Sequence, residues 1–301
     1  MSQAKSVWVA GEVLIDLITT GAEQKAVIGG GAANTARALA GLGVPTAFVG
    51  GISNDEFGQS AEVEFSASGV DLELALRSEL PTACAFIDLS AGQPSYKFQL
   101  DKTATFAFHS DWLPSGAPIA LHIGSLATII KSGSKELLEW ASAVAAPIIF
   151  DPNVRPSVLE DAAEYREAVT KWFAIADIVK LSEEDLEFLY RGRTGATSEA
   201  SIISQILNYG PNLVVLTRGS HGISAFTSSG VISVPGVRVE VIDTIGAGDT
   251  VGAVLLESIA KYGLDGLCGD WLFATLTRAV RAAAITCSRA GAQPPKASEL
   301  D

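Results

Sequence analysis

Short apolar runs alternate with longer amphipathic or small-residue stretches along most of the chain. Ser6 to Ile15, with Val7, Val9, Val13 and Ile15, predicts a first buried strand. Gly29-Gly30-Gly31 is a turn. Ala32 to Leu42 then predicts a small-residue helix, stopped by Gly43 with Pro45 just beyond. Thr46 to Val49 predicts a strand and Glu56 to Ser68 a helix closed by Gly69. From Thr82 the rhythm changes. Thr82 to Leu89 and Ser95 to Leu100 predict two strands joined across Ser90 to Pro94, a hairpin signal.

Beyond Pro118 the alternation returns. Strands are predicted at Ile119 to Ile123, Pro147 to Phe150, Ile178 to Leu181 and Leu213 to Thr217. Helices are predicted at Ser134 to Ala145, Glu160 to Ala174 and Glu183 to Tyr190. Gly222 to Val234 reads as a hairpin, Val237 to Ile242 as a β-like run, Gly246 to about Tyr262 as a long apolar helix, and Trp271 to Cys287 as a last helix. Repeated strand–helix units predict an α/β fold with a central, mostly parallel sheet and helices on both faces. Ligands in such sheets sit outside the carboxyl ends of the strands. Asp151, Lys180 and Thr217, each ending an apolar run, are placed there. The chain is expected to form one domain over residues 1–301, carrying a small β lid built from segments near 12–28 and 82–100.

Composition narrows the field. With 301 residues, 48% of them hydrophobic, the chain can bury a full core. A net charge of −13 disfavours nucleic acid and anionic membrane as partners. A helix N-terminus can still bind an anion against that sign. Cys84, Cys268 and Cys287 are odd in number and far apart, which fits a reducing cytosol rather than a disulfide framework. The apolar N-terminus is broken by Glu12 and Asp16, unlike a signal peptide or membrane span.

The segment with the sharpest chemistry runs from Asp243 to Thr250, Asp-Thr-Ile-Gly-Ala-Gly-Asp-Thr, between a β-like run and a helix. Gly246 and Gly248 let the backbone approach a ligand, and the first free amides of the helix can hold an oxyanion. Asp249, at the same helix end, can take a proton from a hydroxyl while those amides stabilise a phosphoryl group in transit. By itself Asp249 also reads as a helix cap beside a tight turn. Gly29 to Asn34 can cradle a ligand with backbone groups and the Asn34 amide, or can simply pack a helix on the sheet. Asp16 can accept hydroxyl hydrogen bonds or stand solvated in a turn. Arg155, in Asp151-Pro152-Asn153-Val154-Arg155, can hold phosphate or a polar substrate, or be a surface arginine. Thr217 to Gly222 suits a loop beside a nucleotide or an ordinary hairpin entry.

Other chemistries are excluded. The chain has no Gly-Lys pair and hence no P-loop, Gly246-Ala247-Gly248 lacks the third glycine of GxGxxG, and Asp55 to Gly58 has no HRD-type loop to accompany it. His109, His122 and His221 lack zinc spacing, and no GxSxG serine occurs.

Taken in order, these segments resemble the PfkB (ribokinase-like) family of carbohydrate kinases, from about Val7 to Gln293. Asp243-x-x-Gly246-Ala247-Gly248-Asp249 is the specific signature. Gly30, Gly31 and Asn34, followed by Ala36-x-x-Leu39-Ala40-x-Leu42-Gly43, support it. The resemblance implies a ribokinase-like fold and ATP-dependent phosphorylation of a primary sugar hydroxyl. Asp249 would be the base, and Gly246, Ala247 and Gly248 the anion hole. Asp16, Gly30, Gly31, Asn34, Tyr96 and Arg155 would hold the sugar, and Lys180, Thr217, Gly219 and Gly222 the nucleotide. Asp243 and Ile245 would lie at a potassium site, and Mg²⁺ would accompany ATP. A cytoplasmic homodimer, paired through the lid, is the expected setting. Asp151 to Arg155, Gly124-Ser125-Leu126 and Tyr96-Lys97-Phe98 are similar to fructokinases, so fructose is the expected sugar. A 2-keto-3-deoxygluconate kinase and a ribokinase are the alternatives, with a non-catalytic sugar-binding regulator from another class. Two positions depart from the family pattern. Ser182-Glu183-Glu184-Asp185 stands where Asn-x-x-Glu is usual, and Ile245 replaces a threonine.

Overall fold

The structure is a computed structural model that describes residues 5–88, 95–191 and 198–301. Along the chain, β1 (Val7–Ala10) leads into β2 (Leu14–Thr20), β3 (Glu23–Gly29) and α1 (Gly31–Gly41). Next come β4 (Thr46–Val49), β5 (Gly51–Ser53), α2 (Glu56–Ser68), β6 (Leu76–Ser78), β7 (Cys84–Asp88) and β8 (Ser95–Gln99). The middle carries β9 (Leu121–Gly124), α3 (Ser134–Ala143), β10 (Ile148–Asp151), α4 (Ala162–Phe173), β11 (Ile178–Ser182), α5 (Glu183–Tyr190) and α6 (Glu199–Leu207). The end is β12 (Leu213–Thr217), β13 (Ile223–Thr227), β14 (Gly230–Val234), α7 (Ala247–Tyr262) and α8 (Gly269–Cys287).

Eight strands form the main sheet in the order β14-β13-β12-β11-β10-β9-β1-β4. Pairing is parallel from β12 to β4 and antiparallel at the β12-β13-β14 end. Side chains alternate between the two faces of each strand. Val7 and Val9 enter one core with α1, α7 and α8, whereas Trp8 and Ala10 enter the other with α3, α4 and α5. Helix α7 is buried over every residue from Asp249 to Ile259. It packs between α1 and α8, which explains its apolar character all round.

A second sheet, β3-β2-β7-β8, forms the small β lid. Ile15, Leu17 and Cys84 pack on one face with Phe57 and Phe86 against them. Register places Asp16, Ala85 and Phe98 across from one another on the opposite face, with Ile18, Ile87 and Tyr96 one step further along.

Three sequence expectations are corrected or extended, and a fourth lies outside the described residues. The strand predicted over Ser6 to Ile15 is two strands, because Gly11 to Val13 turn out of the main sheet and Leu14 begins a lid strand. The run Val237 to Ile242 is irregular: the Ile242 and Asp243 amides donate to the Cys287 carbonyl at the end of α8, over 2.9 and 3.2 Å, and Val237, Val241 and Ile242 stay exposed. Helix α6 and the β5–β6 pair add elements that the apolar pattern did not announce. The expected hairpin turn at Ser90 to Pro94 lies outside the described residues.

Candidate active site

Gly246 begins α7 in the left-handed conformation, at φ 80°, and a Cβ there would lie 2.8 Å from the Ala292 Cβ. Glycine therefore suits this position on both counts. No side chain caps the helix at Gly246, and the first amides of α7 have no partner within the helix. Thr250 secures the turn by donating from its amide and hydroxyl to the Gly246 carbonyl, over 2.9 and 2.8 Å.

Asp249 is 8% exposed at this helix end, and its Oδ2 accepts a 2.9 Å hydrogen bond from Asn34 Nδ2 on α1. Burial pushes its pKa up to about 6; the Lys180 charge and the Asn34 hydrogen bond oppose the rise, and the Asp151 charge adds to it. Lys180 reaches Asp151 Oδ2 over 2.8 Å. A Cβ built on Gly248 would lie 2.8 Å from Lys180 Nζ, so the ammonium abuts the start of α7.

The glycine turn before α1 faces the same space. A Cβ on Gly31 would lie 2.7 Å from Asn153 Nδ2. Ser125 (φ 56°) and Asn153 (φ 40°) hold left-handed backbone that non-glycine residues seldom adopt, the kind of local strain that clusters at functional sites. Gly31, His122, Gly124, Ser125, Asp151 and Asn153 line a small cavity together with Asp249. Glu12 is the strut beneath this loop. Its Oε1 accepts from the Gly31 amide (2.9 Å) and its Oε2 from the Ala127 amide (3.2 Å). Burial raises Glu12 to about 7, against the lowering effect of these bonds and of Ser125. Burial and the Lys180 charge lower His122 to about 3, so its ring is neutral.

Residues 4–299 match the model described as pfkB family carbohydrate kinase. The chain belongs to that family. A fructokinase of Rhizobium leguminosarum bv. trifolii is 36% identical over 263 residues, which span 84% of this chain and 79% of that relative. Fructokinase-1 of Zea mays is 30% identical over 308 residues, 97% of this chain and 94% of its own length. Among solved structures, the fructokinase of Vibrio cholerae O395 bound to fructose, ADP and calcium ion superposes with a TM-score of 0.86 at 27% identity, covering 98% of this chain and 97% of that one. The ribokinase-like fold and the sugar-kinase class read from the sequence therefore stand.

In this pfkB kinase most of the expected site residues converge. Gly246, Ala247, Gly248, Asp249 and Asn34 are contiguous in space, with Gly30 and Gly31 at the start of α1. Asp16 lies within β2 rather than at the end of a core strand. Its pKa is raised by burial and lowered by the charge of Arg155, which places the two groups near each other. Arg155 folds back on its own loop, donating from Nη1 to the Asn153 and Val154 carbonyls and to Asn153 Oδ1. Tyr96 shares the lid face of Asp16 but lies one step along, is 54% exposed and stacks on Phe98.

Of the residues expected at the nucleotide, Thr217 ends β12 beside Ser182, followed by the turn that contains Gly219 and Gly222. Lys180 stands apart from these residues, in the interior against Asp151. Asp243 ties two loops together: Oδ1 accepts from the Ile245 amide (3.0 Å) and Oδ2 from the Gly291 amide (2.9 Å). Ile245 is exposed. The departure at Ser182 is a reciprocal helix cap: Ser182 Oγ accepts from the Asp185 amide and Asp185 Oδ2 from the Ser182 amide. Asp185 Oδ1 accepts from the Val154 amide (2.7 Å), which anchors the loop that carries Arg155.

The sequence reading missed Glu12, Ser125 and Asn153 as structural parts of the site. A carboxylate between Gly11 and Val13, inside an apolar run, was the available signal for Glu12.

Proposed function

We propose that this kinase is a fructokinase, transferring the γ-phosphate of ATP to a primary hydroxyl of fructose. The observation that carries the proposal is Asp249, a buried carboxylate oriented by Asn34 at a helix end that no side chain caps. The curated relatives named fructokinase supply the choice of sugar.

In this reading Asp16, Gly30, Gly31, Asn34, Tyr96 and Arg155 surround the ketose. Asp249 accepts the proton of the attacking hydroxyl. The amides of Gly246, Ala247 and Gly248 receive the transferring phosphoryl group, whose catalysis is chiefly position and charge. Thr217, Gly219 and Gly222 border ADP. Arg155 has Nη1 engaged by its own loop, which suits a neutral ketose better than a keto-deoxy acid.

Mg²⁺ would accompany ATP. Asp151 and Asp185, both buried near Lys180, are the protein carboxylates that would hold it through water, and it would supply positive charge toward the nucleotide phosphates. Asp243 keeps unused lone pairs beside the loop that leads to Gly246, and potassium held there with backbone carbonyls would stiffen that loop. A homodimer joined through the lid, in the cytoplasm, completes the proposal.

A coupled assay with ATP should show the highest kcat/KM for fructose among fructose, ribose, 2-keto-3-deoxygluconate and adenosine. A tenfold preference for any other member overturns the sugar. Saturable fructose binding without ADP formation overturns the kinase role in favour of a regulator.

A further inference from the structure

The far end of α7 borders a second cavity. Lys261 stands about 18 Å along the helix from Asp249, at 1.5 Å of rise per residue. There α7 runs beside the first half of α8, and the two helices enclose about 210 Å³. The described walls come from these two helices, so the space is separate from the site around Asp249.

One side of the cavity is charged. Glu257 is 2% exposed, within an apolar stretch of α7. A buried carboxylate persists when it is paired. Its Oε1 accepts from Lys261 Nζ (2.7 Å) and Arg278 Nη2 (3.1 Å), and its Oε2 from Arg278 Nε (2.8 Å). One carboxylate thus faces two cations, and this wall keeps a positive charge on a chain of net charge −13. Asp301 Oδ1 lies 3.6 Å from Arg278 Nη1, but that aspartate is largely exposed and solvent screens the pair. Lys261 is half exposed and has one of its three ammonium donors in use. The Ser258 and Thr275 hydroxyls bond each other and the Gly266 carbonyl, which leaves Lys261 and Arg278 to meet an occupant's charge.

The other side is aromatic. The Tyr262 and Trp271 rings have centroids 4.5 Å apart and planes inclined by 35°. Both are about half exposed, whereas the other four tryptophans of the chain are buried or partly buried. Open ring faces of this kind take a flat apolar body.

We propose that this cavity binds a small aromatic carboxylate, its ring against Tyr262 and Trp271 and its charge on Lys261 and the outer edge of Arg278. The volume favours a single ring, since pockets for larger ligands run to about 300–1,000 Å³. The proposal does not rest on the kinase reading or on the choice of sugar.

Benzoate is the probe, titrated calorimetrically into the full chain at low salt. Benzamide keeps its shape without the charge, and cyclohexanecarboxylate keeps the charge without the flat ring. Benzoate should bind with a dissociation constant below about 1 mM, within reach of so small a ligand. Both analogues should bind at least about tenfold more weakly. Lys261→Met and Trp271→Leu should each weaken benzoate by about tenfold or more, through loss of a charged hydrogen bond or of a ring face. Lys261→Arg should stay within about threefold of wild type. Benzoate binding weaker than about 1 mM, an analogue that matches it, or variants that bind as wild type does overturn the proposal. So does a dimer in sedimentation that Trp271→Leu dissolves, which would give this face to a second copy of the chain. The analogue series needs the wild type alone and decides the matter even if a variant fails to fold.

Discussion

Asn34 and Asp249, 215 positions apart in the chain, are joined by a 2.9 Å hydrogen bond from the amide nitrogen to the carboxylate. The bond fixes which carboxylate oxygen turns away from α1, toward the place where a hydroxyl would be deprotonated. A hydrogen bond to a charged group is worth about 1.5–3 kcal/mol. Asn34→Ala should therefore lower kcat/KM for the sugar by roughly 10- to 150-fold. Asn34→Asp sets a second carboxylate against Asp249 and should move the acid limb of the pH–rate profile to higher pH. An unmoved limb in Asn34→Asp would dissociate the two residues.

Asp249 must be ionised to act as a base, and its pKa stands at about 6. The kcat/KM of the wild type should thus fall tenfold per pH unit below about 6 and level off above it. Replacement by Asn should cost about 10²- to 10⁴-fold in kcat and abolish that limb. Near-normal turnover in Asp249→Asn would assign the proton transfer elsewhere.

Glu12 gives a prediction about stability. Its carboxyl is raised from 4.5 to about 7 by burial, so the folded state holds a proton that the unfolded state releases between those values. The stabilisation is whole below about pH 4.5 and is lost as pH rises through about 7. A glutamine does not titrate, and its single acceptor oxygen can serve only one of the Gly31 and Ala127 amides. Glu12→Gln should unfold at lower urea than wild type at pH 4.5, with the gap narrowing toward pH 7.5. Its sugar KM should rise while the ATP KM holds, because the Gly30–Gly31 turn loses its strut. A constant gap across the pH range would place the titration on another group.

Asp243 makes two amide bonds that hold the loop before α7. Asp243→Ala should lower kcat more than it raises the sugar KM. It should also remove any acceleration by KCl over tetramethylammonium chloride. Undiminished potassium activation in the variant would move the cation site away from Asp243.

Most of the strand–helix order was legible because apolar runs on both faces of parallel strands are hard to mistake for anything else. The place of Asp249 in the first turn of a helix was legible because two glycines and a helix start bracket it. The failures have physical causes. Glu12 looked like an interruption of one strand, since nothing local reveals that its carboxylate caps a helix 19 residues on. Val237 to Ile242 alternates like a strand, but its last amide, on Ile242, bonds the end of α8 rather than a strand partner. Lys180 sits in an apolar strand, and only the fold brings Asp151 and Gly248 to it. The Ser182 departure became clear once its hydroxyl was seen capping α5.

The packing of α7 between α1 and α8 also bears on how the protein is made. During synthesis the glycine turn and Asn34 emerge early, but the helix that carries Asp249 emerges near the end. A nascent chain that has reached only β13 holds Asn34 without the Asp249 carboxylate that it bonds in the folded protein, and the apolar side of α1 waits uncovered. Long-range closure of this kind is slow and leaves apolar surface open while it is pending. The same arrangement ties the site to completion of the chain, because a chain cut short before Gly246 lacks both Asp249 and the helix that seals its core.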